Sequence, residues 1–294
     1  DIDLADLIVL VGSNTAWCHP IVFQRIKRAK EANPKLRVVV IDPRRTATCD
    51  IADLHLALAH GSDVAIFNGL LTWLAEHQQL DTDYINSHTR DFDETLAATR
   101  TSLAEVAKLG DLDTESLQTF YRWYAETSRV LTLFSQGVNQ SSSGTDKVNA
   151  IINCHLATGR IGKPGAGPFS LTGQPNAMGG REVGGLANQL AAHMDFKPDN
   201  VDRVGRFWNS PAMAKAPGLK AVDLFDAIYD GQVKAVWIMG TNPVVSMPNA
   251  DRVASALSRC EFVVVSDCIE KTDTNSYAHV LLPAQGWSEK DGTV

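Results

Sequence analysis

Apolar and polar positions along the chain follow two periods, and the period changes at glycine, proline and asparagine. Leu7-Ile-Val-Leu-Val11 is an unbroken apolar run of the kind expected for a strand covered on both faces, and it stops at Gly12-Ser13-Asn14. A helical stretch over 21–32 ends at Asn33-Pro34. A second apolar strand, Leu36 to Ile41, closes at Asp42-Pro43-Arg44-Arg45. A shorter one, Leu54 to Ala59, passes through His60-Gly61-Ser62-Asp63 into a helix with Ile66, Leu70, Leu71 and Leu74 on one face. Strand, helix and strand of these lengths form a βαβ unit in a parallel sheet.

Residues 83–128 read as helices whose Val106, Leu117, Phe120, Tyr121 and Tyr124 recur at helical spacing, which predicts core. A strand from Val130 to Phe134 ends at Gln136-Gly-Val-Asn-Gln140, returns to the first sheet and feeds a helix over 146–158. From Gly159 to Gly185 glycine recurs, but Phe169, Leu171, Met178 and Val183 mark this stretch as an ordered loop between domains. A second βαβ follows: strand Lys234 to Met239, a helix around Val253, Ala254 and Leu257, strand Glu261 to Val265, then His279 to Leu282. The predicted fold class is α/β, with two Rossmann-like αβα domains and largely parallel sheets. The first spans 1–162; the second, 163–294, is incomplete and opens with the glycine-rich loop.

The two ends of the chain repeat each other. Gly12-Ser13-Asn14 matches Gly240-Thr241-Asn242, and each is followed by a proline, Pro20 or Pro248, at the same distance. Asp42 and Asp267 close the next strand in each copy, and Thr46 and Thr272 follow them. In parallel α/β sheets ligands lie beyond the carboxyl ends of strands. A glycine there lets a phosphate approach backbone N–H groups, and an aspartate after the next strand accepts from ribose or guanine. Neither copy carries GxGxxG, so a variant nucleotide site is expected rather than an ordinary NAD site. Taken singly, Asp42 and Asp267 also fit turn or capping roles; their paired placement favours a ligand. Arg44 and Arg45 fit either a solvated turn or a pyrophosphate clamp.

The 294 residues include 27 basic and 34 acidic side chains, a net charge of -7, which excludes a nucleic-acid footprint. No stretch approaches the roughly 20 apolar residues of a membrane span. Cys18, Cys49, Cys154, Cys260 and Cys268 lack CxxC spacing and fit reduced thiols rather than a metal site.

Several stretches, in order, resemble the molybdopterin oxidoreductase family. They are Val11-Gly-Ser-Asn14, Asp42-Pro-Arg44, Gly61-Ser-Asp63, Gln136 to Gln140, Gly165 to Asn176, Gly180-Arg-Glu182 and Ser288 to Thr293. Thr172 to Gly185 is the most discriminating and is most similar to the catalytic subunits of bacterial assimilatory nitrate reductases, with periplasmic nitrate reductases next and formate dehydrogenases further off. The resemblance implies a bis-molybdopterin guanine dinucleotide with molybdenum. One arm would be held by Gly12, Ser13, Asn14, Asp42, Arg44, Thr46 and the Gly61-Ser62-Asp63 turn. Asn242, Ser266, Asp267 and Lys290 would hold the other, with Gln136 and Gln140 reaching the pterin. Arg181 would attract nitrate, whose planar charge suits a forked guanidinium; a loop-fixing salt bridge is its structural alternative.

The same resemblance implies a [4Fe–4S] cluster and a metal-ligating cysteine that this sequence does not contain. The sequence therefore reads as an excised central piece, inactive alone, of an enzyme reducing nitrate to nitrite with electrons from an unidentified donor protein or domain. Cytoplasmic placement follows from the assimilatory resemblance and the reduced-looking cysteines. The alternatives are a formate dehydrogenase or other superfamily oxidoreductase, and a non-catalytic nucleotide-binding homologue.

Overall fold

The computed structural model describes residues 1–173 and 176–291. Two compact units divide the chain, 1–175 and 176–294. The first contains β1 (Leu7–Val11), α1 (Thr15–Cys18), α2 (Pro20–Ala32), β2 (Arg37–Ile41), β3 (Leu54–Leu56) and α3 (Asp63–Glu76). Four helices follow, α4 (Thr82–His88), α5 (Phe92–Thr99), α6 (Leu103–Gly110) and α7 (Thr114–Glu126). The unit ends with β4 (Val130–Phe134), α8 (Gln136–Asn139), α9 (Gly144–Ala157) and β5 (Gly167–Ser170).

The sheet is parallel throughout, in the order β3-β2-β1-β4-β5. Strand order therefore reverses between β1 and β4, the position at which open α/β sheets place a ligand crevice. All five residues of β1 are buried, and their alternation sorts them onto two cores. Leu7, Val9 and Val11 meet α3, α7 and α9 on one face, while Ile8 and Leu10 pack with Ile26 of α2 on the other. Phe120, Tyr121 and Tyr124 are fully buried, as their spacing predicts, and the Tyr121 hydroxyl donates to Ile66 O at 2.7 Å.

Between 162 and 175 the structure differs from the domain boundary expected at 162. Gly167 to Ser170 pairs with Leu131 to Phe134, so this stretch completes the first sheet rather than opening the second unit. Its Gly-Pro-Phe-Ser composition carries little strand signal; the edge of β4 supplies the pairing.

The second unit holds α10 (Ala177–Glu182), α11 (Pro198–Trp208), α12 (Ala221–Tyr229), β6 (Ala235–Met239), α13 (Pro243–Ser246), α14 (Ala250–Arg259), β7 (Phe262–Asp267) and β8 (Val280–Pro283). Its parallel sheet runs β6-β7-β8. Phe225 and Ile228 of α12 and Val253 and Leu257 of α14 cover one face through Ile238, Val263 and Val265. Trp237, Met239, Phe262, Val280 and Leu282 are exposed. Within the quoted family motifs, Gln174, Pro175, Gly292 and Thr293 lie outside the described residues.

Candidate functional site

At the carboxyl ends of β1, β2 and β4 lies a cleft of about 460 Å³. It is lined by Gly12, Asn14, Asp42, Arg44, Gly61, Asp63, Gln136 and Gln140 among the residues chosen from sequence. Residues far apart in the chain meet here because parallel strands present their ends on one edge of a sheet.

Backbone packing shapes the floor. Gly12 has φ +53°, and the Gly137 N–H donates to Gly12 O at 3.0 Å. A Cβ on Gly137 would stand 2.6 Å from Gly12 Cα, so both strand ends require glycine to approach this closely.

Asp42 is 7% exposed. Its Oδ1 accepts the Arg44 N–H at 2.8 Å, which leaves Oδ2 for a ligand, and its carbonyl meets His55 Nε2 at 2.9 Å. The turn and ligand readings of this aspartate are thus compatible, one for each oxygen. The Arg44 side chain is exposed at the rim. Asn14 Oδ1 accepts the Thr48 hydroxyl at 3.0 Å. The Gln136 side-chain oxygen Oε1 accepts the Ser135 hydroxyl, while exposed Gln140 follows α8.

Asp63 lines the cleft at the start of α3 but is paired with Lys147 of α9 at 2.8 Å, both side chains being nearly inaccessible. Lys147 Nζ also donates to Gly137 O at 3.3 Å. Three other sequence candidates turn away from the cleft. Ser13 is buried against the Thr15 hydroxyl at 2.8 Å, Ser62 Oγ donates to Ala59 O at 2.7 Å, and Thr46 Oγ accepts the Thr48 N–H at 3.3 Å as a helix cap. These three support the turns rather than face the opening.

Sequence reasoning missed Lys147, Ser135 and Gly137 as lining residues, and His60 as well. Gly137 was visible inside Gln136-Gly-Val-Asn-Gln140, but Lys147 sat unmarked in a helical stretch. Thr48 was missed although the spacing Thr46-x-Thr48 recurs as Thr272-x-Thr274.

The second strand end is built in the same way. Gly240 has φ +61° and donates its N–H to Ser266 O at 2.9 Å, as Gly12 does to Ile41 O at 2.9 Å. Asp267 Oδ1 accepts the Ile269 N–H at 3.0 Å, two residues on, matching Asp42 and Arg44. Asn242 Oδ1 accepts the Thr274 hydroxyl at 2.6 Å, matching Asn14 and Thr48. Ser266 Oγ accepts Trp237 Nε1 at 2.9 Å. Exposed Lys290 follows the single turn 287–289, and exposed Arg181 sits on α10, where its carbonyl accepts Gln189 Nε2. Its guanidinium makes no salt bridge among the described residues.

The adjacent pair Cys154-His155 belongs to the core. Cys154 Sγ–H donates to Phe67 O, and burial pushes its thiol well up. His155 meets the Thr132 hydroxyl at 2.8 Å, and burial, with the Arg160 charge adding, holds it down at about 3. Among the described residues no group of three or more His, Cys, Asp or Glu side chains gathers as a metal site. Among them, too, no helix is long and apolar enough to cross a membrane.

This donor set fits a nucleotide-bearing cofactor. The cleft volume lies in the ligand-pocket range of about 300–1,000 Å³. Asp42 Oδ2 has no hydrogen-bond partner among the described residues and can accept from N–H or O–H donors, the glutamines offer amides, and the buried Lys147 that lines the cleft is already neutralised by Asp63.

A family model described as "Molybdopterin oxidoreductase" matches residues 1–294. A nitrate reductase of Klebsiella oxytoca is 55% identical over 100% of this chain and 34% of its own length. An F420-dependent formate dehydrogenase alpha subunit of Methanococcus maripaludis is 35% identical over 100% of this chain and 43% of its own. The chain therefore spans about a third of the nitrate reductase it matches. Among solved structures, acetylene hydratase from Pelobacter acetylenicus superposes with a TM-score of 0.74 at 18% identity, covering 99% of this chain and 42% of that one, which is a likeness of fold. With a family model matched from the first residue to the last, this chain belongs to the molybdopterin oxidoreductase family.

Proposed function

We propose that the chain is the central cofactor-holding part of a cytoplasmic molybdenum nitrate reductase that converts nitrate to nitrite. The observation that carries the reading is the 55% identity to a nitrate reductase along the whole chain, set against 35% to a formate dehydrogenase. When bound, the molybdenum of a bis-molybdopterin guanine dinucleotide supplies the two-electron oxygen-atom chemistry.

The chain's own residues bind and orient. Asp42 Oδ2 accepts from the guanine or ribose of one arm, while Gly12, packed against the Gly137 backbone, shapes the cleft floor beneath it. Gln136 and Gln140 offer amide donors toward the pterin. Asp267 serves the other arm in the same manner, with Ser266 and Lys290 beside it and Asn242 shaping the loop that receives it. Arg181 donates two parallel N–H groups to nitrate oxygens and holds the anion before reduction; a guanidinium fork does this where a lysine cannot. A [4Fe–4S] cluster and an electron donor belong to the parent enzyme, and this chain alone is expected to produce no nitrite.

The test is nitrate-dependent oxidation of reduced viologen by the full-length parent. Arg181→Ala should lower kcat/KM for nitrate by about 10- to 100-fold, the worth of a charged hydrogen-bonded contact. Formate oxidation without nitrate reduction by the wild type would overturn the reading. So would nitrite formation by the isolated chain above a no-protein blank.

A further inference from the structure

Two threonines that the functional reading does not use occupy the same place in both strand ends. Thr48 and Thr274 are each fully buried. The Thr48 hydroxyl donates to Asn14 Oδ1 at 3.0 Å and accepts the Ala16 N–H at 3.0 Å. The Thr274 hydroxyl donates to Asn242 Oδ1 at 2.6 Å and accepts the Val244 N–H at 3.2 Å. In both copies the backbone donor lies two residues after the asparagine, so each hydroxyl closes the same circuit. A buried hydroxyl is stable only with partners, and here both its donor and its acceptor capacity go to one loop.

The circuit fixes the asparagine amide. Asn14 lines the cleft, and with Oδ1 taken by the threonine its NH₂ has no hydrogen-bond partner among the described residues. In the second copy Asp273 stands where the first has Ala47, and Asn242 Nδ2 donates to its Oδ2 at 3.3 Å. The first asparagine is therefore set to donate to a ligand acceptor, whereas the second is tied to its own loop.

We propose that Thr48 and Thr274 are paired positioning residues. They hold Asn14 and Asn242, and the loops after β1 and β6, in the geometry that accepts the two nucleotide arms, Thr48 with the greater effect. This rests on the cofactor reading above.

The experiment is the guanine nucleotide released per polypeptide by acid hydrolysis of the full-length enzyme, with circular dichroism and gel filtration to verify folding. Variants are Thr48→Val, Thr48→Ala, Thr48→Ser, Thr274→Val and Thr274→Ser. Removing two hydrogen bonds should lower the retained nucleotide about fivefold or more in folded Thr48→Val and Thr48→Ala. Thr274→Val should lose less, and both serine variants should stay near wild type because they keep the hydroxyl. Folded valine variants loaded like wild type would overturn the proposal, as would serine variants that lose as much as valine. Failure of both Thr48→Val and Thr48→Ala to fold, beside a normal Thr48→Ser, would overturn it in favour of a purely structural hydroxyl. A wild type without guanine nucleotide would instead defeat the cofactor reading itself.

Discussion

A Cβ added to Gly12, at the end of β1, would stand 2.8 Å from Gly137 Cα, whereas one added to Gly240, at the end of β6, would meet nothing within 4 Å. β1 is buried on both faces, while β6 leaves Trp237 and Met239 exposed. Yet three hydrogen bonds recur at the two ends: glycine to neighbouring strand, aspartate to the amide two residues on, asparagine to threonine. Packing so different does not impose the same circuit twice. A shared role at the two arms of the proposed cofactor would require this recurrence.

The contrast breaks first at the buried ion pair. Lys147 and Asp63 are nearly inaccessible, so Lys147→Met should destabilise the first unit by about 3–5 kcal/mol by stranding a carboxylate, and adding Asp63→Asn should recover most of that. In the second unit the exposed Lys234–Glu261 pair should give no measurable change when Lys234 becomes Ala. Urea unfolding followed by tryptophan fluorescence measures both. Next comes glycine. Gly12→Ala should cost about 3 kcal/mol or more because two backbones collide, against about 1–2 kcal/mol for Gly240→Ala, which meets only the left-handed backbone penalty.

A further expected effect is a pH dependence of the first unit that comes from His155. His155 is held neutral in the folded chain down to about 3 but takes a proton near 6.5 when unfolded. The unfolded state thus binds more protons between those values. Its contribution is full above 6.5 and is lost progressively as pH falls toward 3. Urea midpoints at pH 7.5 and pH 5 should differ in wild type, and this part of the difference should vanish in His155→Asn.

Much of the scaffold was legible because β1, β2, β4, β6 and β7 are apolar runs punctuated by Gly12, Asp42, Ser135, Gly240 and Ser266. β5 was not, since Gly-Pro-Phe-Ser has no strand pattern and is recruited by an open sheet edge. Helices α11 and α12 were passed over in a stretch dominated by polar and exposed residues. At the cleft, Asp42, Asn14 and Gly12 were readable from the repeat. The roles of Ser13, Ser62 and Thr46 were not, because whether a small hydroxyl faces a ligand or closes a turn depends on a rotamer that spacing does not encode. Lys147 reaches the site only through tertiary packing of α9 on α3, and no local pattern marks that.

The most direct test is the ratio of guanine nucleotide to molybdenum in the full-length enzyme. If each strand end grips one arm of a single cofactor, hydrolysis releases two guanine nucleotides per molybdenum, and Asp42→Ala or Asp267→Ala each lowers the amount retained. One nucleotide per metal, or retention that ignores both aspartates, would contradict it.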